Sequence, residues 1–292
     1  MAVSLSHTWG QIIGDTLEAA FYPLLAKAAT EAGVYLDYNG NGRAADCGVR
    51  TKAGKLGWKD EAQNWHQLDF VWERGGSKTK VGTPVAFVEV AWRRYTKHSK
   101  NKAQEIEGAL VPIAQTHRHS LPFLGAILGG EFTKNSLNQL SSRGFLLIHV
   151  SYAKIVAAFA KVGIDASSSE DTDESDFAEK LASYAKLTPA QKETIRGAIV
   201  DSVADQTNVF VANLKGSISR EIVRILILPL HGEGKELSAV TDAIAFVAGY
   251  AEEKGTGAPV VRFDIEVRFS NGSVMTGQFP TKSEASAFLR SL

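Results

Sequence analysis

The chain has 292 residues, 44% of them hydrophobic, and its 32 Lys and Arg are balanced by 32 Asp and Glu. That length suits one large domain or two smaller ones, and the apolar fraction is ordinary for a globular core. The single cysteine, Cys47, excludes an internal disulfide and points to a reducing compartment. The first ten residues lack a basic segment followed by an apolar run, and no uninterrupted apolar stretch is long enough to span a bilayer. A soluble, cytoplasmic protein without a membrane partner is therefore expected. Overall neutrality hides an asymmetry. Residues 1–164 carry 19 Lys and Arg against 13 Asp and Glu, a net of +6, and the remainder is at −6. Only the front half is suited to a polyanion.

Residues 8–33 have helical apolar spacing, with Pro23 predicting a kink or break. Glu18 lies near the apolar face of that helix, as a flank residue or as an accessory metal ligand. Residues 34–36 read as a short strand. Residues 40–64 read as a long polar loop, and Arg43, Arg50, Lys52, Lys55 and Lys59 suit phosphate contact. Residues 67–74 and 85–92 read as paired strands around a Gly-rich turn. A polar, basic run follows, then a helix that buries Ala103, Ile106, Leu110, Ile113 and Ala114.

Residues 123–128 and 145–150 read as buried strands, and residues 132–143 and 151–162 as helices closed by Gly144 and Gly163. Continuous apolar strands alternating with helices imply parallel pairing under helical layers. Residues 165–176 are acidic and poor in apolar side chains, and read as a linker. Thr188-Pro189-Ala190-Gln191 is a capping box with Pro at the first helical position. In the tail, residues 237–247 and 279–289 repeat at an offset of 42, each helix preceded by a hairpin. The second hairpin carries the Asn271-Gly272 turn signal. The expected fold class is α/β: a mixed sheet flanked by helices, followed by a C-terminal tandem ββα repeat. The expected divisions are residues 1–164, an acidic linker and helical segment at 165–218, and the repeats at 219–292.

Two acids stand out. Asp69 lies between Leu68 and Phe70, and Glu89 lies inside Val-Ala-Phe-Val-Glu-Val-Ala-Trp. A carboxylate in such a run is costly to bury unless something pairs with it. An arginine, Arg93 or Arg94, is the bland partner. A divalent cation shared by both acids accounts for the two together.

Asp69 on one strand and Glu89-Val90-Ala91 on the next, followed by a helix and further strands, resembles the core of the PD-(D/E)XK nuclease superfamily, type II restriction endonucleases among them. The resemblance spans about residues 10–155 and rests on element order and pattern. It implies a restriction-endonuclease-like core. It also implies a Mg2+-dependent endonuclease acting on double-stranded DNA, with Asp69, Glu89 and the Val90 carbonyl as metal ligands. Two positions depart from the family pattern: Leu68 precedes Asp69 where a proline is usual, and Ala91 stands where the activating lysine belongs. Either Lys102, Arg93, Lys97 or Lys100 replaces that lysine, or catalysis is lost and a DNA-binding protein on a nuclease fold remains.

On the first alternative Asp69, Glu89, Lys102 and Arg93 form the catalytic set, and Arg94, Lys97, Lys100, Arg43 and Lys52 contact DNA. Cutting a palindrome implies a homodimer. A third reading is a phage-defence effector subunit whose repeats bind a partner. No P-loop, Gly-x-Ser-x-Gly or Cys/His zinc spacing occurs. His66, His117 and His119 read as structural.

Overall fold

The computed structural model describes residues 4–96, 99–230, 233–251 and 262–292. They form two compact units, Met1–Thr116 with Pro122–Lys215, and His117–Leu121 with Gly216–Leu292.

The first unit opens with helix α1 (Leu5–Glu31), whose N-cap Ser4 accepts a hydrogen bond from the His7 amide, satisfying one of the free donors of the first turn. The helix runs through Pro23 without interruption, so the expected break does not occur. Strand β1 (Tyr35–Tyr38) follows, then the short strands β2 (Gly57–Lys59) and β3 (Trp65–Gln67), which pair antiparallel. The stretch read as one long loop, residues 40–64, thus holds a strand, β2, which pairs with β3 just beyond it. Strands β4 (Phe70–Arg74) and β5 (Thr83–Arg93) come next, then helix α2 (Ser99–Thr116). Strand β6 (Phe123–Gly130), helix α3 (Lys134–Ser142), strand β7 (Leu146–Ser151) and helix α4 (Tyr152–Ala160) alternate as their patterning requires. Helices α5 (Glu174–Ala185), α6 (Pro189–Asp201) and α7 (Ala204–Ile218) complete the run. The capping box at Thr188 and Gln191 is formed, with Pro189 in the first turn.

The main sheet has the order β1-β4-β5-β6-β7. β1, β4 and β5 run antiparallel to their neighbours, and β5, β6 and β7 run parallel. The fold is therefore mixed α/β, a mixed sheet flanked by helices. Helices α2 and α3 provide the crossovers that parallel neighbours need. They cover one face, over a core that includes Val71, Phe87, Ala91, Ala103, Ile106 and Leu110. Helix α1 packs on β5, and α4 packs on β6 and β7, with α5 and α6 against α1. Residues 165–176 are not a boundary in this arrangement, because the helices that follow them belong to the first unit. Phe177, Ile195 and Ile199 are buried there. Local charge density marked this acidic stretch as a linker, but these apolar side chains hold it to the core.

The second unit contains β8 (Ile222–Pro229), β9 (Lys235–Leu237), α8 (Val240–Gly249), β10 (Phe263–Phe269), β11 (Val274–Phe279) and α9 (Lys282–Arg290). Its sheet order is β11-β10-β8-β9, all antiparallel. The first strands of the two ββα repeats lie side by side at the centre. Ala243, Val247, Ala285, Phe288 and Leu289 of the two helices bury against Ile225, Ile227, Phe263, Ile265 and Val267. The Asn271-Gly272 turn closes the second hairpin, with Gly272 at φ 83°, a conformation glycine adopts without steric cost.

Candidate active site

β5 lies at the centre of the main sheet, where its antiparallel and parallel halves meet. Its side chains alternate between faces. Phe87, Glu89, Ala91 and Arg93 share the face covered by α2, on which Phe87 and Ala91 pack with Ala103 and Ile106 of that helix. Asp69 sits just before β4. The register Phe70↔Val88 and Val71↔Phe87 puts Asp69 on the same face as Glu89. Each acid holds the other's backbone. The Asp69 amide donates to Glu89 Oε1 at 3.2 Å, and the Val90 amide donates to Asp69 Oδ2 at 2.8 Å. The two carboxyl groups also act on each other electrostatically.

Burial pushes the Glu89 carboxyl well above the usual range, and the neighbouring Asp69 charge adds to the rise, while Lys102 opposes it. Burial likewise raises Asp69, against the Val90 amide, Glu89, Lys102 and Lys55. Two carboxylates this close cannot both be charged without a proton or a cation between them. Glu18 of α1 belongs to the same field. Burial and then Asp69 push it up to about 7, with Lys55 opposing. Glu18 also lines a cleft of about 370 Å³ together with Asp15, Ala19, Tyr22, Pro23, Tyr38, Asn39, Phe70 and Arg196.

The site thus draws Glu18 from α1, Asp69 from the start of β4, Glu89 from β5 and Lys102 from α2. Lys102 also forms an ion pair with Glu105 at 3.4 Å. Arg93, on the same strand face, donates to the Trp92 carbonyl and to Glu105. Arg94 donates to Ser168 and stacks over Tyr95 and Phe177. The two arginines that could have neutralised the acids are engaged elsewhere. Lys52 and Lys100 are exposed, and Lys97 lies outside the described residues. The oxygen donors at Asp69 and Glu89 suit a hard cation such as Mg2+. The Val90 carbonyl projects from the same side of β5 as its amide, toward Asp69. Among the described residues no group of three or more His, Cys, Asp or Glu is arranged to hold a metal ion. A cation here would therefore rest on the acid pair and backbone oxygen.

Arg43 corrects the reading of it as a DNA contact. Its side chain is fully buried, with Nη1 2.7 Å from Asp37 and 2.6 Å from Glu73. It also donates to the carbonyls of Ser77 and Lys80. Arg50 is likewise buried on Asp37, at 2.5 Å, so neither guanidinium is open to a phosphate. Asp37 and Glu73 escaped notice in the sequence, although each is an acid inside a strand-like run, the same signal that singled out Glu89. His66 Nε2 lies 2.9 Å from Asp60 Oδ2, a structural pairing, and His119 packs on Phe288.

No family model matches this chain, and no curated protein matches it. A solved structure of a protein of unknown function, AF1548, matches with a TM-score of 0.30 at 11% identity, covering 70% of this chain and 98% of the other. A likeness that slight carries no argument about function. Among the described residues no helix is long and apolar enough to cross a membrane.

Proposed function

We propose that this protein is a Mg2+-dependent endonuclease that hydrolyses phosphodiester bonds of double-stranded DNA, on a core like that of the type II restriction enzymes. The observation that carries the reading is the buried pairing of Asp69 and Glu89 at one end of the β4–β5 hairpin, with the charge of Lys102 acting on both. Asp69, Glu89 and the Val90 carbonyl would hold the cation. Bound there, Mg2+ would supply positive charge to the scissile phosphate and acidify a water molecule. Lys102 takes the place of the lysine missing at position 91. Its ammonium would orient the attacking water and stabilise charge developing on the phosphate oxygens. Glu18, its carboxyl pushed up to about 7 by burial and by Asp69, would exchange a proton with the cleft near neutral pH. The net charge of +6 over residues 1–164 supports a polyanionic substrate. Cutting both strands calls for two such centres, hence a homodimer.

The test is cleavage of a duplex with Mg2+ and with EDTA. Asp69→Ala and Glu89→Ala should abolish cutting, and Lys102→Ala should slow it by about 10²–10³-fold. If the two acid variants cut as well as wild type, the assignment is wrong. Ala91 favours a second reading, a nuclease fold that binds DNA without cutting it. That reading predicts duplex binding indifferent to Mg2+ and no product with any metal.

A further inference from the structure

Residues 49–57 form a tight hairpin beside the acid pair. The Gly57 amide donates to the Val49 carbonyl at 3.2 Å, and Arg50 and Leu56 form an antiparallel bridge. At the tip the Thr51 amide donates to the Lys55 carbonyl at 2.8 Å, and the Lys55 amide returns to Thr51 Oγ1 at 3.2 Å. Gly54 makes the turn at φ 75°, where a larger residue would be strained.

The base of this hairpin is fixed in three ways. Val49 and Leu56 are buried in the core beneath α2. Arg50 is locked on Asp37. The Asn39 side chain accepts from the Leu56 amide at 2.7 Å and donates to the Leu68 carbonyl at 3.3 Å. The Leu68 amide in turn donates to the Leu56 carbonyl at 3.1 Å. Leu56 and Leu68 are therefore laced side by side. Lys55 is the residue before Leu56, and Asp69 is the residue after Leu68. The backbone itself delivers an exposed ammonium to the edge of the acid pair, and its charge acts on both Asp69 and Glu18.

A lysine left in water on a rigid tip, next to carboxylates, suits a ligand that carries negative charge along a line. We propose that the hairpin is a phosphate clamp, with Lys55 gripping the DNA backbone beside the acid pair and Lys52 extending the grip. On this assignment Lys55 and Lys102, from different elements, both lend positive charge to Asp69. The inference rests on the nuclease reading for its substrate, but its readout is binding.

The test uses the full chain with a fluorescent duplex of about 20 base pairs, its anisotropy followed in Ca2+ over a range of salt, alongside cleavage in Mg2+. Lys55→Ala should weaken duplex binding about five- to tenfold and flatten the salt dependence by about one unit of slope. Lys55→Arg should restore both. Calorimetric Mg2+ binding to the free Lys55→Ala protein should be as tight as wild type or tighter, since a repelling charge is gone. A fall in Mg2+ affinity would mean that Lys55 only helps to build the acid pair, and would overturn the clamp. If wild type cuts and Lys55→Ala binds with the same affinity and slope, the clamp is wrong and the nuclease reading stands. If wild type binds without cutting and Lys55→Ala binds more weakly, the clamp stands and the nuclease reading falls. A wild type that neither binds nor cuts duplex overturns both.

Discussion

A carboxyl group buried beside another carboxyl group is at odds with its surroundings until a proton or a cation joins it. Glu89 and Asp69 are in that position, and it has a consequence for stability. A carboxyl whose folded pKa is raised contributes stability below its unfolded value. It loses that contribution as pH rises through the raised value. In the absence of metal, Glu89→Gln removes the group that must ionise. The variant should therefore melt at a higher temperature than wild type, and the gap should widen from pH 5 to pH 9, measured calorimetrically in EDTA. A gap that narrows with pH would contradict the direction given for Glu89. The same variant should lose cleavage, a trade of activity for stability common at strained sites. Both acids were legible in the sequence because an acid in an apolar strand is rare and costly. Spacing along the strand leads to Ala91, which is buried under α2, so the sequence left Lys102, Arg93, Lys97 and Lys100 open as replacements for the missing lysine. Lys102 stands on the helix packed on that strand, and its charge acts on both acids.

At the scale of elements, the order of helices and strands from α1 to α4 follows from hydrophobic period and turn residues. The connection between β1 and β4 does not. Its strands β2 and β3 are three residues each, too short to leave a periodic signal. Long-range ion pairs organise it instead. Arg43 joins Asp37 of β1 to Glu73 of β4, and through the carbonyls of Ser77 and Lys80 it also holds the β4–β5 turn. Partners up to 37 residues apart cannot be paired from one sequence. Removing one member of a buried ionic group leaves the others uncompensated, at a cost of about 3–5 kcal/mol. Arg43→Met should lose that much in urea unfolding, whereas Lys52→Met, at an exposed position, should stay within about 0.5 kcal/mol of wild type. A mild effect at Arg43 would mean that the cluster is solvated.

Across the whole molecule, the two units have separate apolar cores, and each core is the natural unit of cooperative unfolding. All five tryptophans, at positions 9, 58, 65, 72 and 92, lie in the first unit. Phe263, 1% exposed, lies in the core of the second. Phe263→Ala should destabilise that unit by about 3–5 kcal/mol. Circular dichroism would register an early transition, while tryptophan emission keeps its wild-type midpoint. If both signals shift together, the units unfold as one. The tandem repeat was legible because its pattern is duplicated. The membership of α5 and α6 in the first unit was hidden by the acidic stretch before them. The course of α1 through Pro23 has one more effect. A proline nitrogen carries no hydrogen, so the carbonyl one turn earlier, at Ala19, is denied its helical donor, and both residues line the cleft beside Glu18. A bare acceptor in a cleft is answered by solvent. The wall beside Glu18 therefore favours bound water, the second reactant that the proposed hydrolysis would need.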